Sequence, residues 1–157
     1  MELKTNAIRI IERLKLDYIP HSIDCREAVS GVEMASRLGE DPSRVFKTLV
    51  TVGKSKKNYV FMIPVAEELD LKKAAAAAGE KSVEMVKAKE LLPLTGYVHG
   101  GCSPIGMKKQ FTTFVHITAA DLDRIIFSAG RVGFQVEMSA ESLKKAVNFE
   151  LADIVCK

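Results

Sequence analysis

Two runs rich in β-branched and aromatic residues, Lys47–Val52 and Asn58–Val65, flank the polar pentapeptide Gly53-Lys54-Ser55-Lys56-Lys57, and this pairing constrains the chain more than any other feature. Such side chains suit a pleated, packed surface, and a short polar linker opening on glycine suits a hairpin loop. Two adjacent strands are therefore expected. The rest of the chain must pack around them.

Upstream, Asn6 to Leu16 sets Ile8, Ile11, Leu14 and Leu16 at mostly helical spacing among charged residues, an amphipathic opening helix. Tyr18 to Cys25 reads as a short extended piece. Ser30 and Glu33 form a capping box that starts a second helix, with Val32, Met34 or Ala35, and Leu38 on its inner side and Gly39 at its end. Asp41-Pro42 supplies an N-cap and a proline at the first helical position, a short turn delivering the chain to Phe46. Downstream, Leu69 to Ala78 is helical by propensity and stops at Gly79. Ser82–Val86, Phe111–Ile117, Arg124–Ser128, Gly133–Met138 and Phe149–Val155 read as strands, with short helices over Lys89–Leu94 and from a Ser139 cap to Val147. A hairpin-like turn over Ala129–Val132 joins the third and fourth of these strands to each other in sequence. This order predicts an α/β fold, a mixed, mainly antiparallel curved sheet or open barrel flanked by helices. No repeat, low-complexity tract or linker divides it, so 1–157 is expected to be one domain.

Composition narrows the class of function. Hydrophobic residues make up 47% and charged residues 27%, the balance of an ordinary globular protein, and a net charge of +3 permits an anionic partner without by itself proposing one. The three cysteines, Cys25, Cys102 and Cys156, are widely separated and form no CxxC pair, so neither a disulfide framework nor a metal site is expected. No apolar run approaches the roughly 20 residues a membrane helix needs, and the first residues lack the apolar stretch of a signal peptide. A cytoplasmic protein is the expectation.

The candidate site is the segment Gly96 to Lys109, GYVHGGCSPIGMKK. Gly100 and Gly101 free the backbone for tight turns, Ser103 adds a hydroxyl, Pro104 fixes a kink, and Lys108 with Lys109 add charge at the exit. Backbone N–H groups gathered in such a turn suit an anion or a carbonyl oxygen. An ordinary surface turn satisfies the same composition. Lys47 is the second anomaly, a lysine at the start of an otherwise apolar strand, whose stem could also simply cover apolar neighbours with its ammonium in water. His21, His99 and His116 are scattered, and no Ser-His-Asp order, Walker loop or HxxxH pair is present. Cys102 as a nucleophile with His99 as its base is one reading of the loop.

Val45-Phe46-Lys47-Thr48-Leu49-Val50 and the later Gly-Gly-Cys-Ser-Pro-Ile-Gly with its following lysines resemble the YbaK/EbsC family of aminoacyl-tRNA deacylases, which carry a V-[FY]-K-T-L segment and a G-G-x-S-P-x-G loop. The resemblance extends through Pro64-Val65-Ala66, Leu69–Lys73, Ser128–Gly133 and Phe149–Ile154. It implies a single α/β domain, no cofactor, and clearance of cysteine from mischarged tRNA(Pro), often from tRNA(Cys) as well. On that reading Lys47 contacts the phosphate or ribose of the terminal nucleotide, and the Gly100-Gly101 backbone donates to the ester carbonyl. Thr48 and Ser103 orient the ester, Pro104 joins them among the substrate-binding residues, and Ser128 and Gly130 border the pocket. Gln135 stands where some relatives carry an aspartate, so a carboxylate's role there does not transfer. The implied chemistry uses the substrate's own thiol as nucleophile. The implied partners are the acceptor end of mischarged tRNA and a synthetase such as prolyl-tRNA synthetase, with a monomer favoured. Alternatives are a sister alanyl-tRNA(Pro) deacylase that uses water and a non-catalytic tRNA- or synthetase-binding module.

Overall fold

The computed structural model describes residues 4–25 and 27–157. Five short α-helices and eight strands alternate along it, and the strands form two sheets. Helix α1 (Asn6–Arg13) is capped by the Thr5 hydroxyl, which accepts from the Ile8 amide, and it buries Ala7, Ile8 and Ile11. It ends before Leu16 because Lys15 turns to a positive φ of 58°. Strand β1 (Ile19–Ser22) follows. Helix α2 (Gly31–Leu38) starts at the expected Ser30 cap, whose hydroxyl accepts from the Glu33 amide at 3.1 Å, and ends at Gly39. It buries Met34 and Ala35, whereas Val32 is 48% exposed and so leaves the inner side assigned to it by spacing. One 3-10 turn, Pro42–Arg44, is capped by Asp41 as its proline signal predicts.

The hairpin is present. Strands β2 (Phe46–Gly53) and β3 (Asn58–Pro64) pair antiparallel, Phe46 opposite Pro64 and Val52 opposite Asn58. Helix α3 (Leu71–Ala78) is capped by Asp70, which accepts from the Lys72 and Lys73 amides. Strand β4 (Val83–Met85) pairs with the far end of β2, and helix α4 (Ala88–Thr95) leads to the glycine loop. Strand β5 (Thr112–His116) lies parallel to β3, and β8 (Phe149–Ala152) parallel to β5, which completes a mixed five-stranded sheet in the order β4-β2-β3-β5-β8. Strands β6 (Ile125–Arg131) and β7 (Phe134–Met138) pair antiparallel with each other, and β7 with β1, in a separate antiparallel sheet. Helix α5 (Ala140–Ala146) uses the Ser139 cap.

Two details differ from the local pattern. The strands divide into two sheets, with no closed barrel among the described residues, joined through a parallel bridge between Val45 and Ile126. The β6–β7 turn falls at Val132-Gly133 rather than at Ala129–Val132, because β6 absorbs Ala129 and Gly130 as an irregularity between Ser128 and Arg131. Phe46, Met62 and Val115 of the larger sheet pack with Phe127, Val136 and Met138 of the smaller one, under α1 and α5, in a shared core. Each such side chain fully removed from water contributes about 1.5–3 kcal/mol. A second cluster under α3 stacks Phe61 on Phe114 with ring centroids 5.4 Å apart.

Candidate active site

After the Val45–Ile126 bridge, strands β2 and β6 continue in the same direction but in different sheets. Counting on from the bridge brings Lys47 level with Ser128. A cavity of about 410 Å³ opens in this fork, bounded by β2, the start of α2, the β4–α4 connection and the glycine loop. Its walls are mostly apolar, with Val45, Val50, Val65, Val86, Met34 and Leu91 among them. Lys47, Thr48, Gly100, Ser128 and Gln135 also line it, whereas Gly101, Ser103, Pro104 and Gly130 do not.

Strand alternation sends the two residues of the Lys-Thr pair to opposite faces of β2, Thr48 with Phe46 and Val50, Lys47 with Leu49. Among the described residues Lys47 has no ion pair and is the only permanently charged side chain on the cavity wall. The Thr48 hydroxyl is sealed from solvent and makes no hydrogen bond among the described residues. An unpaired buried polar group is costly, about 1–3 kcal/mol, so its place on a cavity wall is informative.

The glycine loop is held from within. The Tyr97 hydroxyl donates to the Ile105 carbonyl at 2.6 Å, and the buried Thr95 hydroxyl accepts from the Tyr97 amide at 3.0 Å. The Gly101 amide closes a turn onto the Val98 carbonyl at 3.0 Å, which leaves it occupied, while the amides of Gly100 and Cys102 have no partner among the described residues. Ser103 is fully buried, and its hydroxyl accepts from the Ile105 amide at 3.2 Å. Pro104 is buried beside it, and Lys108 and Lys109 are exposed outside the cavity lining. The glycines answer first to the chain itself. A Cβ on Gly101 would lie 2.9 Å from the Val132 amide nitrogen, and one on Gly100, at φ 84°, would run into the Ala28 side chain. These contacts tie the loop to the β6–β7 turn and to the segment before α2.

On the smaller sheet, Ser128 accepts from the Gly130 amide at 3.1 Å, and Gly130, at φ 102°, leaves room for the Tyr97 ring. Gln135 pairs directly with Ser128 on one side and with His21 on the other. His99 is exposed at the cavity rim. Burial pushes the Cys102 thiol up to about 12, against a smaller opposing pull from the Thr95 hydroxyl, so at neutral pH it is a protonated, 7% exposed side chain. A thiol in that state is a poor nucleophile. No cluster of histidine, cysteine and carboxylate groups suited to a metal occurs among the described residues. Sequence reasoning missed the walls contributed by Met34, Val86 and Leu91, which carry only the ordinary signal of core residues. It also missed Ala28, whose small side chain is what Gly100 accommodates.

The profile described as the aminoacyl-tRNA editing domain matches residues 26–146. A protein of Enterococcus faecalis with the provisional name Cys-tRNA(Pro)/Cys-tRNA(Cys) deacylase EbsC is 45% identical over 155 residues, covering 98% of this chain and 94% of its own. Among solved structures, a protein described only as hypothetical superposes with a TM-score of 0.86 at 23% identity, over 97% of this chain and all (100%) of that one. Another, described as a provisional trans-editing enzyme for prolyl tRNA synthetase, gives 0.83 at 20% identity over 99% of this chain and 100% of that one. These two likenesses show a common fold. The domain match over most of the chain, and a relative similar along almost its whole length, establish that this chain belongs to the aminoacyl-tRNA editing domain family.

Proposed function

We propose that this protein is a trans-editing deacylase that clears cysteine from mischarged tRNA(Pro), and from tRNA(Cys), with the substrate's own thiol as the nucleophile. The observation that carries this reading is the chemistry of the cavity: one lysine, free backbone amides and apolar walls, with its own cysteine buried and protonated. An aminoacyl ester is already activated, so a site of this kind need only position it and stabilise charge. Lys47 binds the phosphate or ribose oxygens of the terminal nucleotide. The Gly100 amide, with that of Cys102 beside it, donates to the ester carbonyl as it becomes an oxyanion, while Gly101 and Pro104 hold the loop in shape. Ser103, buried on the Ile105 amide, supports the same loop, and Gly130 leaves room for the Tyr97 ring.

The substrate sulfur forms a bond to its own carbonyl carbon, the ester C–O bond breaks, and the thiol proton ends on the departing ribose hydroxyl. The product is tRNA plus a cyclic thiolactone, which water opens to cysteine. The provisional name of the Enterococcus faecalis relative supports this substrate class. The sequence's low aromatic content, 6% with no tryptophan, leaves little for base stacking, which supports a partner such as prolyl-tRNA synthetase as the source of tRNA identity. A cytoplasmic monomer of one domain, working without cofactor, completes the reading.

The test is amino-acid release from tRNA(Pro) charged with cysteine, alanine or proline, by wild type, Lys47→Ala and Cys102→Ser. Cysteine-selective release that requires Lys47 and survives Cys102→Ser is the expected result. Alanine-selective release would move the protein to the water-using sister activity, and no release would leave a binding module.

A further inference from the structure

The cavity contains a second polar side chain without a partner. Gln135 is 6% exposed and lines the cavity from the central strand of the smaller sheet, and its side chain makes no hydrogen bond among the described residues. Its cross-strand neighbours are engaged or directed elsewhere. His21 bonds the Glu137 carboxylate at 2.8 Å, and Ser128 accepts from the Gly130 amide. Across the fork on β2, the Thr48 hydroxyl is one of two side-chain polar atoms among the described residues that are buried without a partner, the other being Arg44 Nε. A buried hydroxyl without a partner and, across the fork, a carboxamide side chain that makes no hydrogen bond among the described residues belong to two residues lining one cavity, and a ligand there would engage both.

We propose that the Gln135 carboxamide, with the Thr48 hydroxyl, holds the α-amino group of the aminoacyl moiety. This rests on the reading above that an aminoacyl ester enters this cavity. The other polar groups of such a substrate already have partners of the right kind: Lys47 for phosphate and ribose oxygens, and free loop amides for the carbonyl. The thiol has to remain free to react. The α-amino group is a donor, so it needs acceptors. Among the described residues no carboxylate lines the cavity, and Glu137, the next residue on the same face of β7, is tied to His21. The carboxamide oxygen of Gln135 and the hydroxyl oxygen of Thr48 are acceptors on buried or half-buried residues of the wall that no other side chain or amide engages among the described residues. Gln135 is then a binding residue common to any aminoacyl ester, and selection among amino acids falls to the apolar walls and to the substrate's own nucleophile.

The test pairs deletion of the residue with deletion of the substrate group. The probes are two amide-linked, uncleavable adenosine mimics, one with cysteine at the 3′ position and one with 3-sulfanylpropanoyl, which lacks only the amine. Their affinities are measured by calorimetry for wild type, Gln135→Leu and Gln135→Glu. Wild type is expected to bind the amine-bearing mimic about ten- to a hundredfold more tightly than the other. Gln135→Leu should erase that gap without weakening the deamino mimic, and Gln135→Glu, which keeps an acceptor, should preserve the gap. Equal weakening of both mimics by Gln135→Leu, or no gap in wild type, would overturn the assignment. Failure of both mimics to bind wild type would overturn it together with the reading of the cavity. Selective binding without cleavage of the matching ester would instead remove the deacylase activity and leave the role of Gln135 standing.

Discussion

Lys47 and Cys102 line the same cavity with different side chains, one without an ion pair among the described residues, the other a thiol kept protonated by burial. Their substitutions should therefore differ sharply. Lys47→Ala is expected to lower kcat/KM for cysteinyl-tRNA(Pro) by about a hundredfold or more with the melting temperature near that of wild type. Cys102→Ser should leave the rate close to wild type, because no step uses that thiol. Both are read by release of labelled cysteine beside a thermal melt. The loop glycines predict a contrast in stability. Gly101→Ala drives a methyl against the Arg131–Val132 backbone, whereas Gly39→Ala, at φ 70°, meets nothing within 4 Å. Gly101→Ala should cost about 1–3 kcal/mol through overpacking, and Gly39→Ala about 1 kcal/mol through its backbone conformation alone, both from urea unfolding.

Strand β5 and the segment after β8 share a pH-sensitive joint at His116. Its Nδ1 accepts from the Ile154 amide at 3.3 Å, so its proton sits on Nε2 and the ring is neutral. Burial pulls its pKa below the ordinary 6.5, with the Lys73 cation acting the same way and Asp153 and Glu67 opposing. The unfolded chain therefore takes up this proton first as the pH falls. The stabilisation is fully present above pH 6.5 and is lost as the pH drops through the lower folded value. Urea unfolding between pH 7 and pH 5 should show falling stability, with a shallower fall in His116→Gln; equal slopes would remove His116 as the cause. Ser30 caps α2 where that helix meets the cavity. Ser30→Ala should cost about 1 kcal/mol of stability in the same assay.

At the scale of the whole molecule, what was legible in the sequence was local. Ser30 with Glu33, Asp41 with Pro42, and the glycines at 39 and 79 act on their own neighbours, and each helix end they predict is present. The β2–β3 hairpin likewise needs only a five-residue linker. The division into two sheets was not legible, because it depends on β3 running parallel to β5, and β5 to β8, across separations that no local pattern encodes. Strand β3 is buried on both faces from Tyr59 to Pro64, so its sequence lacks the alternation that would identify an outer side. For the site, the motif residues Lys47 and Gly100 were visible as anomalies, whereas Gln135 becomes informative only once its burial and missing partner are known. The fork between the sheets brings these residues to one largely apolar cavity, and on the proposed function that cavity positions a substrate which supplies its own nucleophile. That conclusion is tested most directly by comparing release from tRNA(Pro) charged with cysteine and with S-methylcysteine, which differ only in whether the sulfur can attack. The account predicts rapid release of cysteine and retention of S-methylcysteine, while comparable release of both would show that the nucleophile comes from elsewhere.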